Sequence, residues 1–437
     1  MNPIKVGLLG LGTVGSGTFE VLTRNQEEIA RRAGRGIEIT AIAIRNLEKA
    51  KALVKGHAKI TQDPHSIVSD PDIDVVIELI GGYDLARELV LKAIESGKHV
   101  VTANKALIAV HGTEIFAAAQ NKGVMVAFEA AVAGGIPIIK SLREGLSANR
   151  IQWIAGIING TTNYILSEMR SRALTFNQAL KEAQDLGYAE ADPTFDIEGI
   201  DAGHKATILS AIAFGIPVQF DKAHVEGISK LNTQDIAYAE QLGYRIKLLG
   251  ITKRAKHGVE LRVHPCLIPS KRLIANVEGA MNAVMVQGDA VGTALFYGKG
   301  AGSEPTASAV IADLVDVTRL LTADPLHRVP HLAFHPDAMS DIDVVPMSEI
   351  LTSYYLRLRV SDRAGVLAEV TGVLAKHGIS IDAVLQRPAG EVLNQTDLII
   401  MTHECQEARM NQVLKTLTSI QSVHGEIVRI RKEELNG

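Results

Sequence analysis

The stretch Gly10-Leu11-Gly12-Thr13-Val14-Gly15 near the start of the chain decides how the first third of the sequence folds. It follows an apolar run at residues 4–9 and precedes apolar residues at helical spacing, so it joins a predicted strand to a predicted helix. Gly10 permits a tight turn, Gly12 lets the backbone approach a pyrophosphate, and Gly15 lets the helix pack closely on the strand. Because a helix N-terminus favours anionic groups, all six residues of the turn are predicted to bind a dinucleotide.

Strand and helix signals alternate at short intervals on the C-terminal side of this turn. The strand-like runs are residues 4–9, 37–44, 74–80, 99–102 and 124–129, and helical stretches such as 18–32 and 85–96 lie between them. This alternation is typical of a parallel sheet with crossover helices. It predicts an α/β fold in which residues 1–135 form a doubly wound Rossmann domain that binds NAD or NADP.

The end of the second predicted strand bears on which of these two cofactors is bound. A carboxylate at this point binds the ribose 2′-hydroxyl of NAD, whereas an arginine suits the 2′-phosphate of NADP. The strand ends Ala43-Ile44-Arg45-Asn46, without an acid. Arg45 is either a solvated surface residue or a phosphate contact. The sequence therefore favours NADP, or the use of both cofactors.

The composition excludes several classes of protein. Lysine plus arginine (45) nearly balances aspartate plus glutamate (49), so no basic surplus indicates nucleic-acid binding. No apolar run reaches the ~18 residues of a membrane span, and the chain enters its first strand with no signal peptide. The only cysteines, Cys266 and Cys405, are too few for a secreted disulfide framework. We expect a soluble, cytoplasmic protein.

The rest of the chain divides into a middle region, a connecting segment and a small terminal domain. Residues 136–322 mix longer helices with strands, which predicts an α+β domain. Residues 323–350 contain four prolines, which end helices, and they are predicted to be a linker. Residues 351–437 show the strand and helix order βαββαβ, which predicts a ferredoxin-like domain.

An unusual acidic segment lies within the middle region. Five acidic residues fall between Gly187 and Asp201, and Asp201 and Lys205 are four positions apart on one face of a predicted helix. One interpretation is an acid-lined loop with an exposed salt bridge. The other is a carboxylate cluster that holds an ammonium group, beside a lysine that handles a hydroxyl proton. Spacing alone leaves both open.

The same segment resembles the signature of the homoserine dehydrogenase family. The matching residues are Ala183, Gly187-Tyr188-Ala189, Asp192-Pro193, Asp196, Gly199, Asp201 and Lys205. The resemblance continues at Val100-Val101-Thr102-Ala103-Asn104-Lys105, at Gly298-Lys299-Gly300-Ala301-Gly302 and at Pro305-Thr306-Ala307-Ser308. With a terminal domain similar to the ACT regulatory module, it covers essentially the whole chain and indicates the monofunctional bacterial type. The resemblance implies that residues 136–322 are the catalytic and dimerisation domain and that the end of this domain packs back on the Rossmann domain.

This resemblance implies the NAD(P)-dependent interconversion of L-homoserine and L-aspartate 4-semialdehyde, in threonine, methionine and isoleucine biosynthesis. Lys205 matches the catalytic lysine that protonates the carbonyl oxygen, and Lys105 matches a second lysine beside cofactor and substrate. Two nearby lysines and partial desolvation should lower the pKa of one of them. The residues implied at the substrate are Gly187, Glu190, Asp196 and Asp201. Those implied at the cofactor, beyond the glycine turn and Arg45, are Thr102, Lys105 and Gly302.

A monovalent cation site, for sodium or potassium, is a further implication of the resemblance. The matching positions are Glu129, Val132, Gly134 and Ile136, which follow the last predicted Rossmann strand. Hard cations favour the oxygen ligands that such residues offer. The alternative is a tight glycine turn without a metal.

The ACT-like domain predicts an amino-acid effector site at the turn Asp362 to Val366. Gly365 allows close approach of a ligand, and the helix that begins at Val366 offers free N–H groups to a carboxylate. Asp362 could equally cap this helix. In the resembling domains the ligand lies between paired modules, which implies a homodimer or homotetramer. By pathway logic the effector is L-threonine, and truncation after residue 345 should abolish inhibition but leave activity.

Two rival hypotheses remain open. Another dehydrogenase of the aspartate pathway, such as aspartate-semialdehyde dehydrogenase, needs a cysteine nucleophile, and neither cysteine lies in a suitable motif. A non-catalytic sensor of nucleotide and amino acid has no need for Lys105, Lys205 and the clustered acids. His204, next to Lys205, is interpreted as a packing residue.

Overall fold

Two β-sheets organise the described part of the protein. The structure is a computed structural model that describes residues 2–386 and 394–435. One sheet has six strands and the other has eleven. No described helix combines the length and the apolar character needed to cross a bilayer.

The six-stranded sheet is formed by the first third of the chain. Its strands are β1 (Ile4–Leu9), β2 (Ile37–Ala43), β3 (Lys59–Thr61), β4 (Val75–Glu78), β5 (His99–Thr102) and β6 (Val126–Ala127). The helices between them are α1 (Thr13–Arg24), α2 (Gln26–Ala33), α3 (Leu47–Val54), α4 (Pro64–Val68), α5 (Asp84–Glu95) and α6 (Lys105–Lys122). All neighbouring strands are parallel in the order β3-β2-β1-β4-β5-β6. This is the doubly wound order, and the predicted Rossmann fold is confirmed.

Two details of this sheet differ from the sequence prediction. The helix predicted over residues 18–32 begins earlier, at Thr13, and is interrupted at Asn25, where one helix ends and the next begins. Asparagine is a poor residue for a helix interior because its side chain competes for backbone hydrogen bonds. Strand β3 was not predicted, since three residues at an exposed edge are too few to show alternation.

The middle of the chain adds a largely antiparallel sheet and seven helices. Its strands are β7 (Ile151–Ile157), β8 (His224–Val225), β9 (Tyr244–Ala255), β10 (Gly258–Pro269), β11 (Met281–Gly288) and β12 (Gly292–Lys299). Its helices are α7 (Ile138–Lys140), α8 (Gly160–Ser171), α9 (Phe176–Asp185), α10 (Thr194–Ile197), α11 (Ile200–Phe214), α12 (Thr233–Gln241) and α13 (Ser303–Leu320). Helix α13 packs on α1 of the first sheet, where Ser303 Oγ donates a hydrogen bond of 2.8 Å to Thr13 O.

Helix α11 is the most deeply buried helix of this region. Its residues from Asp201 to Phe214 are all buried, and it contacts strands β7, β9 and β10 as well as helix α6. A helix that is apolar on all sides is typical of a protein core. The two charged side chains that it carries, Asp201 and Lys205, are therefore taken out of solvent.

The terminal domain has the predicted ferredoxin-like topology. Its elements are β13 (Leu351–Ser361), α14 (Val366–Lys376), β14 (Ile381–Gln386), β15 (Gln395–Thr402), β16 (Cys405–Gln406), α15 (Glu407–Thr418) and β17 (Val423–Lys432). The strand order β17-β13-β15-β14 confirms the fold. Strand β17 also pairs with β10, which joins this domain to the middle region in the eleven-stranded sheet.

The segment 323–350 packs against both preceding regions. His331 Nε2 accepts a hydrogen bond of 3.1 Å from Val126 N, and Val345 N donates one of 2.9 Å to Val259 O. The boundaries at residues 135, 322 and 350 stay predictions, because these contacts run across them.

The terminal domain also covers a buried charge on α12. Asp235 is fully buried and accepts from Arg357 Nε at 2.6 Å and from Tyr355 Oη at 3.0 Å. Both donors belong to β13. Truncation after residue 345 would leave this carboxylate without either of them.

Candidate active site

The pair Asp201 and Lys205 lies at the centre of the site. Helix α11 begins after Gly199, and the two side chains face each other one turn apart. Lys205 Nζ donates to Asp201 Oδ2 at 2.6 Å and to the carbonyl of Ile158 at 2.8 Å. Asp201 is 2% exposed and Lys205 is 8% exposed. Of the two interpretations left open by their spacing, the exposed salt bridge is wrong.

A second lysine reaches the same carboxylate from the Rossmann domain. Lys105 is the first residue of α6, directly after β5 and Asn104. Its Nζ lies 2.9 Å from Asp201 Oδ1, and its side chain is 35% exposed. Asp201 therefore bridges the two lysines, one buried and one facing solvent.

Asn159 completes this cluster and was not predicted from the sequence. Its Nδ2 donates to Asp196 Oδ1 at 2.7 Å and to Asp201 Oδ2 at 2.8 Å. Its Oδ1 accepts from Thr162 N at 2.8 Å and so caps helix α8. An asparagine directly after a buried strand is a helix-cap signal, and nothing in its local sequence indicates the acids that it contacts.

Charge and burial act in opposite directions on these groups. Burial lowers the pKa of Lys205 and the Lys105 ammonium lowers it further, while Asp201 offsets part of the effect. Burial also disfavours the Lys105 cation, but Asp201, Asp196 and Glu190 outweigh it and raise its pKa. The expected lowering of one lysine pKa is thus confirmed for Lys205.

The two aspartates also differ from one another. Burial would raise the pKa of Asp201, but Lys205 and Lys105 hold it well below its usual range. Burial and the neighbouring Asp201 raise the pKa of Asp196. Asp201 is therefore the permanent counter-ion of the lysines, and Asp196 is the more easily protonated acid.

His204 packs in an aromatic cluster beside this site. Its ring centroid lies 4.3 Å from that of Phe220 and 5.3 Å from that of Phe195. Burial lowers the pKa of His204 to about 4, so the ring is neutral at physiological pH. These contacts agree with its interpretation as a packing residue.

A cleft of about 720 Å³ lies at the C-terminal edge of the parallel sheet. The residues that line it are Gly10, Leu11, Gly12, Ala43, Ile44, Arg45, Asn46, Gln62, Pro64, Leu79, Ile80, Gly81, Gly82 and Leu85. In open α/β sheets ligands bind at this edge. Arg45 is exposed and lines the cleft where β2 ends.

The glycine turn fits the demands of a dinucleotide. Gly10 has φ +96°, and a Cβ there would lie 2.7 Å from Leu79 O. A Cβ on Gly15 would lie 2.1 Å from Gly10 O, so this glycine permits the close helix packing. A Cβ on Gly12 would meet no atom within 4 Å, which leaves the backbone open to the cleft. No side chain caps the N-terminus of α1, where Thr13 and Val14 begin the helix.

Thr102 supports the wall of the cleft from behind, through the carboxylate of Glu78, which the sequence analysis did not single out. Thr102 Oγ1 donates to Glu78 Oε2 at 2.7 Å, and both side chains are fully buried. Glu78 Oε1 accepts from Ile80 N at 2.8 Å and from Gly81 N at 3.0 Å. The sequence does offer a signal for Glu78, because it is an acidic residue at the end of the otherwise apolar strand β4. A hydrogen bond connects this wall to the lysine cluster: Asn104, which precedes Lys105, donates from its Nδ2 to the carbonyl of Gly82 at 2.7 Å.

The remaining predicted substrate and cofactor positions lie in loops. Gly187 and Glu190 are exposed in the loop between α9 and α10, and the charge of Glu190 acts on Lys105. Gly302 immediately precedes α13, whose first residue contacts Thr13 of the glycine turn.

The predicted cation positions form a tight turn. Both carboxylate oxygens of Glu129 accept backbone hydrogen bonds, from Ile139 N at 2.9 Å and Lys140 N at 2.7 Å. Burial raises the pKa of Glu129 to about 7, although these two donors oppose the rise. Ile136 O accepts from Ile138 N at 2.8 Å.

The backbone around Val132 is buried, and a Cβ on Gly134 would lie 2.4 Å from Gly300 O. Residues 2–386 and 394–435 contain no cluster of three or more His, Cys, Asp or Glu side chains suited to a metal. A cation here would therefore depend on backbone oxygens.

The turn before α14 forms a small pocket of about 300 Å³ that includes Asp362, Gly365 and Val366. Gly365, with φ +94°, is the N-cap residue, and no side chain caps the helix. Asp362 is exposed, and its backbone N–H donates to Asn394 O at 2.8 Å. The alternative role of Asp362 as the cap of this helix is not realised.

The fold and the site together define a class: a nicotinamide-dependent oxidoreductase that acts on a CH–OH group. Residues 137–315 match the family model described as homoserine dehydrogenase, and residues 10–129 match that of its NAD-binding domain. Residues 354–421 match the ACT domain.

Individual proteins give the same result. The chain is 63% identical to a homoserine dehydrogenase of Pseudomonas aeruginosa, with 100% of both chains covered. A crystal structure of a homoserine dehydrogenase from Thiobacillus denitrificans has a TM-score of 0.96 and 64% identity, covering 100% of this chain and 99% of that one. A hyperthermophilic archaeal homoserine dehydrogenase in complex with NADPH has a TM-score of 0.62 and 27% identity, covering 72% and 98%. The chain belongs to the homoserine dehydrogenase family.

Family membership decides between the rival hypotheses. The protein is a homoserine dehydrogenase with a nicotinamide cofactor and an ACT domain that implies an amino-acid effector. The non-catalytic sensor and the other aspartate-pathway dehydrogenase are therefore wrong. Both cysteines are free and buried, and burial raises the pKa of the Cys266 thiol well above its usual value. That shift is the reverse of what a cysteine nucleophile needs.

Proposed function

We propose that the enzyme interconverts L-aspartate 4-semialdehyde and L-homoserine with Lys205 as the proton carrier, in the biosynthesis of threonine, methionine and isoleucine. One observation carries this proposal. The buried carboxylate of Asp201 holds the ammonium groups of Lys105 and Lys205 at 2.9 and 2.6 Å, next to the wall of the dinucleotide cleft.

The hydrogen bonds of Lys205 leave one N–H donor for the substrate, which supports its role as proton carrier. A bound nicotinamide supplies or accepts the hydride. An ammonium group has three N–H donors, and Lys205 directs two of them to Asp201 and to the carbonyl of Ile158. The third can meet the substrate oxygen. As negative charge develops on that oxygen during reduction, Lys205 stabilises the charge and then donates its proton, and in the oxidation it takes the proton back.

Lys105 and Lys205 have different roles in the proposed reaction. Lys105 keeps its charge, because neighbouring acids raise its pKa. Its ammonium stabilises the developing oxyanion, and it also lowers the pKa of Lys205. Lys205 can therefore alternate between its two protonation states nearer to neutral pH than a solvated lysine can.

The substrate's amino end is assigned to Asp196, Glu190 and the backbone of Gly187. Asp201 lies at the same place, but its two oxygens are taken by the lysines and Asn159. We therefore assign Asp201 to holding the lysines.

For the cofactor we propose NADP over NAD, with Arg45 at the 2′-phosphate. The absence of an acid after Ala43 supports this choice, as does the position of Arg45 in the cleft. The archaeal relative was solved with NADPH. The glycine turn, Thr102, Lys105 and Gly302 complete the proposed cofactor site.

For regulation we propose feedback inhibition by L-threonine at Asp362, Gly365 and Val366, between the ACT modules of a homodimer or homotetramer. Hydrogen bonds that lead from β17 to the segment beside Asp196 support a coupling. Arg431 Nη1 and Nη2 donate to Glu226 at 2.8 and 2.9 Å. Two residues further on, Ile228 N donates to Ile197 O at 2.8 Å, next to Asp196.

Two further assignments remain proposals. Sodium or potassium would bind backbone oxygens around Val132, Gly134 and Ile136, near the buried Glu129, and would stabilise the turn without taking part in the chemistry. We also propose the cytoplasm as the compartment, and the two free cysteines support a reducing environment.

The pH dependence of homoserine oxidation tests the role of Lys205. Oxidation needs the neutral amine, so its rate should rise with pH above neutrality, with a midpoint below the ordinary lysine pKa. Lys205→Arg, which keeps a positive charge but cannot release its proton, should lose oxidation across the range. A wild-type rate that stays flat between neutrality and pH 10 would rule out Lys205 as the proton carrier.

A further inference from the structure

Asn159 joins the end of β7 to the start of α8 directly below the two acids of the site. It is 4% exposed. The preceding residue, Ile158, accepts a hydrogen bond from Lys205 through its carbonyl. Two consecutive residues of one strand-to-helix junction thus contact the proposed proton carrier and both aspartates.

The hydrogen-bond chemistry fixes the orientation of the Asn159 side chain. Thr162 N can only donate, so the atom that faces it at 2.8 Å must be the amide oxygen. The amide nitrogen then points away from the helix and has two N–H groups. An ionised carboxylate can only accept, and each N–H meets one, at Asp196 and at Asp201.

We propose that Asn159 is a positioning residue of the reaction, whose amide N–H groups hold Asp196 in place and ionised for the substrate's ammonium group. This inference rests on the proposed function, in which Asp196 receives that ammonium. Asn159 itself does not contact the reacting atoms.

Repulsion between the two acids explains why such a donor is needed. Asp196 and Asp201 accept from the same amide nitrogen, so their carboxylates are close neighbours of like charge. Asp201 has two lysines to compensate its charge. For Asp196 the side-chain hydrogen bond from Asn159 opposes the rise in pKa that burial and Asp201 cause, together with the charges of Lys205 and Lys105. Without it Asp196 would be protonated over a wider pH range.

A purely structural role as helix cap is the alternative, and the chain contains a matched residue. Asn232 caps α12 in the same way, with its Oδ1 accepting from Asp235 N at 2.9 Å. Serine is about as good an N-cap as asparagine, but its hydroxyl cannot reach both carboxylates. Asn159→Ser and Asn232→Ser therefore preserve the cap, and Asn159→Ser alone removes the bridging amide.

The test measures kcat and KM for L-aspartate 4-semialdehyde reduction against pH in both variants, because reduction uses the protonated Lys205 and its acid limb therefore does not report the deprotonation of that lysine. Asn159→Ser should raise KM about tenfold or more, because hydrogen bonds to charged groups are strong. It should also move the acid limb of kcat/KM to higher pH. Asn232→Ser should leave KM and the acid limb at wild-type values, and thermal unfolding should show both variants folded.

Three results would overturn the inference: a wild-type KM and acid limb in Asn159→Ser, an equal rise of KM in both variants, or a fall in kcat with no movement of the limb. Asp196→Asn separates these failures from a failure of the proposed function. If Asp196→Asn leaves KM unchanged, the proposed ammonium site is wrong. If Asp196→Asn raises KM while Asn159→Ser does not, only the positioning role of Asn159 is wrong.

Discussion

The substitution Asp201→Asn tests the bridging carboxylate on which the proposed mechanism depends. Its interaction with Lys205 is buried on both sides, with side chains 3% and 10% exposed. Removing one partner of such a pair costs about 3–5 kcal/mol of stability. The interaction with Lys105, which is 35% exposed, is screened by solvent and adds about 0–1 kcal/mol. We expect the free energy of unfolding at neutral pH to fall by about 3–5 kcal/mol.

The sign of the pH dependence follows from the depressed pKa of Asp201. Its stabilisation is present above the ordinary aspartate pKa and is lost only as pH falls through the folded value in strong acid. Urea unfolding at neutral pH therefore measures the full effect. The rate of L-aspartate 4-semialdehyde reduction should also fall, because the pKa of Lys205 drops further once its counter-ion is gone and less of the proton donor is present.

A matched control is the pair Lys181 and Asp185, which has the same spacing on α9 but lies in solvent, with side chains 68% and 61% exposed. Asp185→Asn should cost no more than about 0.5 kcal/mol. A loss of unfolding free energy in Asp201→Asn of less than about 1 kcal/mol, or no larger than in this control, would refute the stabilising role of the bridging carboxylate.

Three further outcomes are expected. Arg45→Ala should raise the KM for NADPH about tenfold while leaving that for NADH nearly constant, because a charged contact to phosphate is lost; an unchanged NADPH to NADH ratio of kcat/KM would contradict the NADP assignment. Asp362→Ala should raise the L-threonine concentration that gives half-inhibition at least about tenfold if the turn binds the effector through charge-assisted hydrogen bonds, and wild-type sensitivity would exclude this turn. Truncation after residue 345 should now destabilise the enzyme, because it uncovers Asp235 and the edge of β10; a truncated protein with wild-type thermal stability would show that these contacts contribute little.

The sequence predicted the fold well wherever local signals were strong. The turn from Gly10 to Gly15 with its flanking apolar strand sufficed for the Rossmann domain, and the βαββαβ order sufficed for the terminal one. The pairing of β17 with β10 could not be predicted, because strands more than 150 positions apart carry no local signal of their register. For the same reason the prolines of residues 323–350 predict a linker, and no local signal indicates the contacts of this segment with β6 and β10.

For the site, the sequence indicates which residue types take part but not the role of each residue. The spacing of Asp201 and Lys205 predicted one shared helical face, and only the burial of α11 shows that the pair is withdrawn from solvent. Asn159 and Glu78 were missed because each acts on residues distant in sequence, at strand ends that look ordinary.

In the proposed mechanism Lys205 transfers the proton, and one comparison tests this role most directly. The rate of NADPH oxidation with L-aspartate 4-semialdehyde is measured for the wild type and for Lys205→Ala, at saturating concentrations of both substrates. Loss of a general acid that also stabilises the developing oxyanion should lower kcat by about a thousandfold, with the KM for NADPH little changed. A Lys205→Ala enzyme that keeps kcat within about tenfold of the wild type would contradict the account.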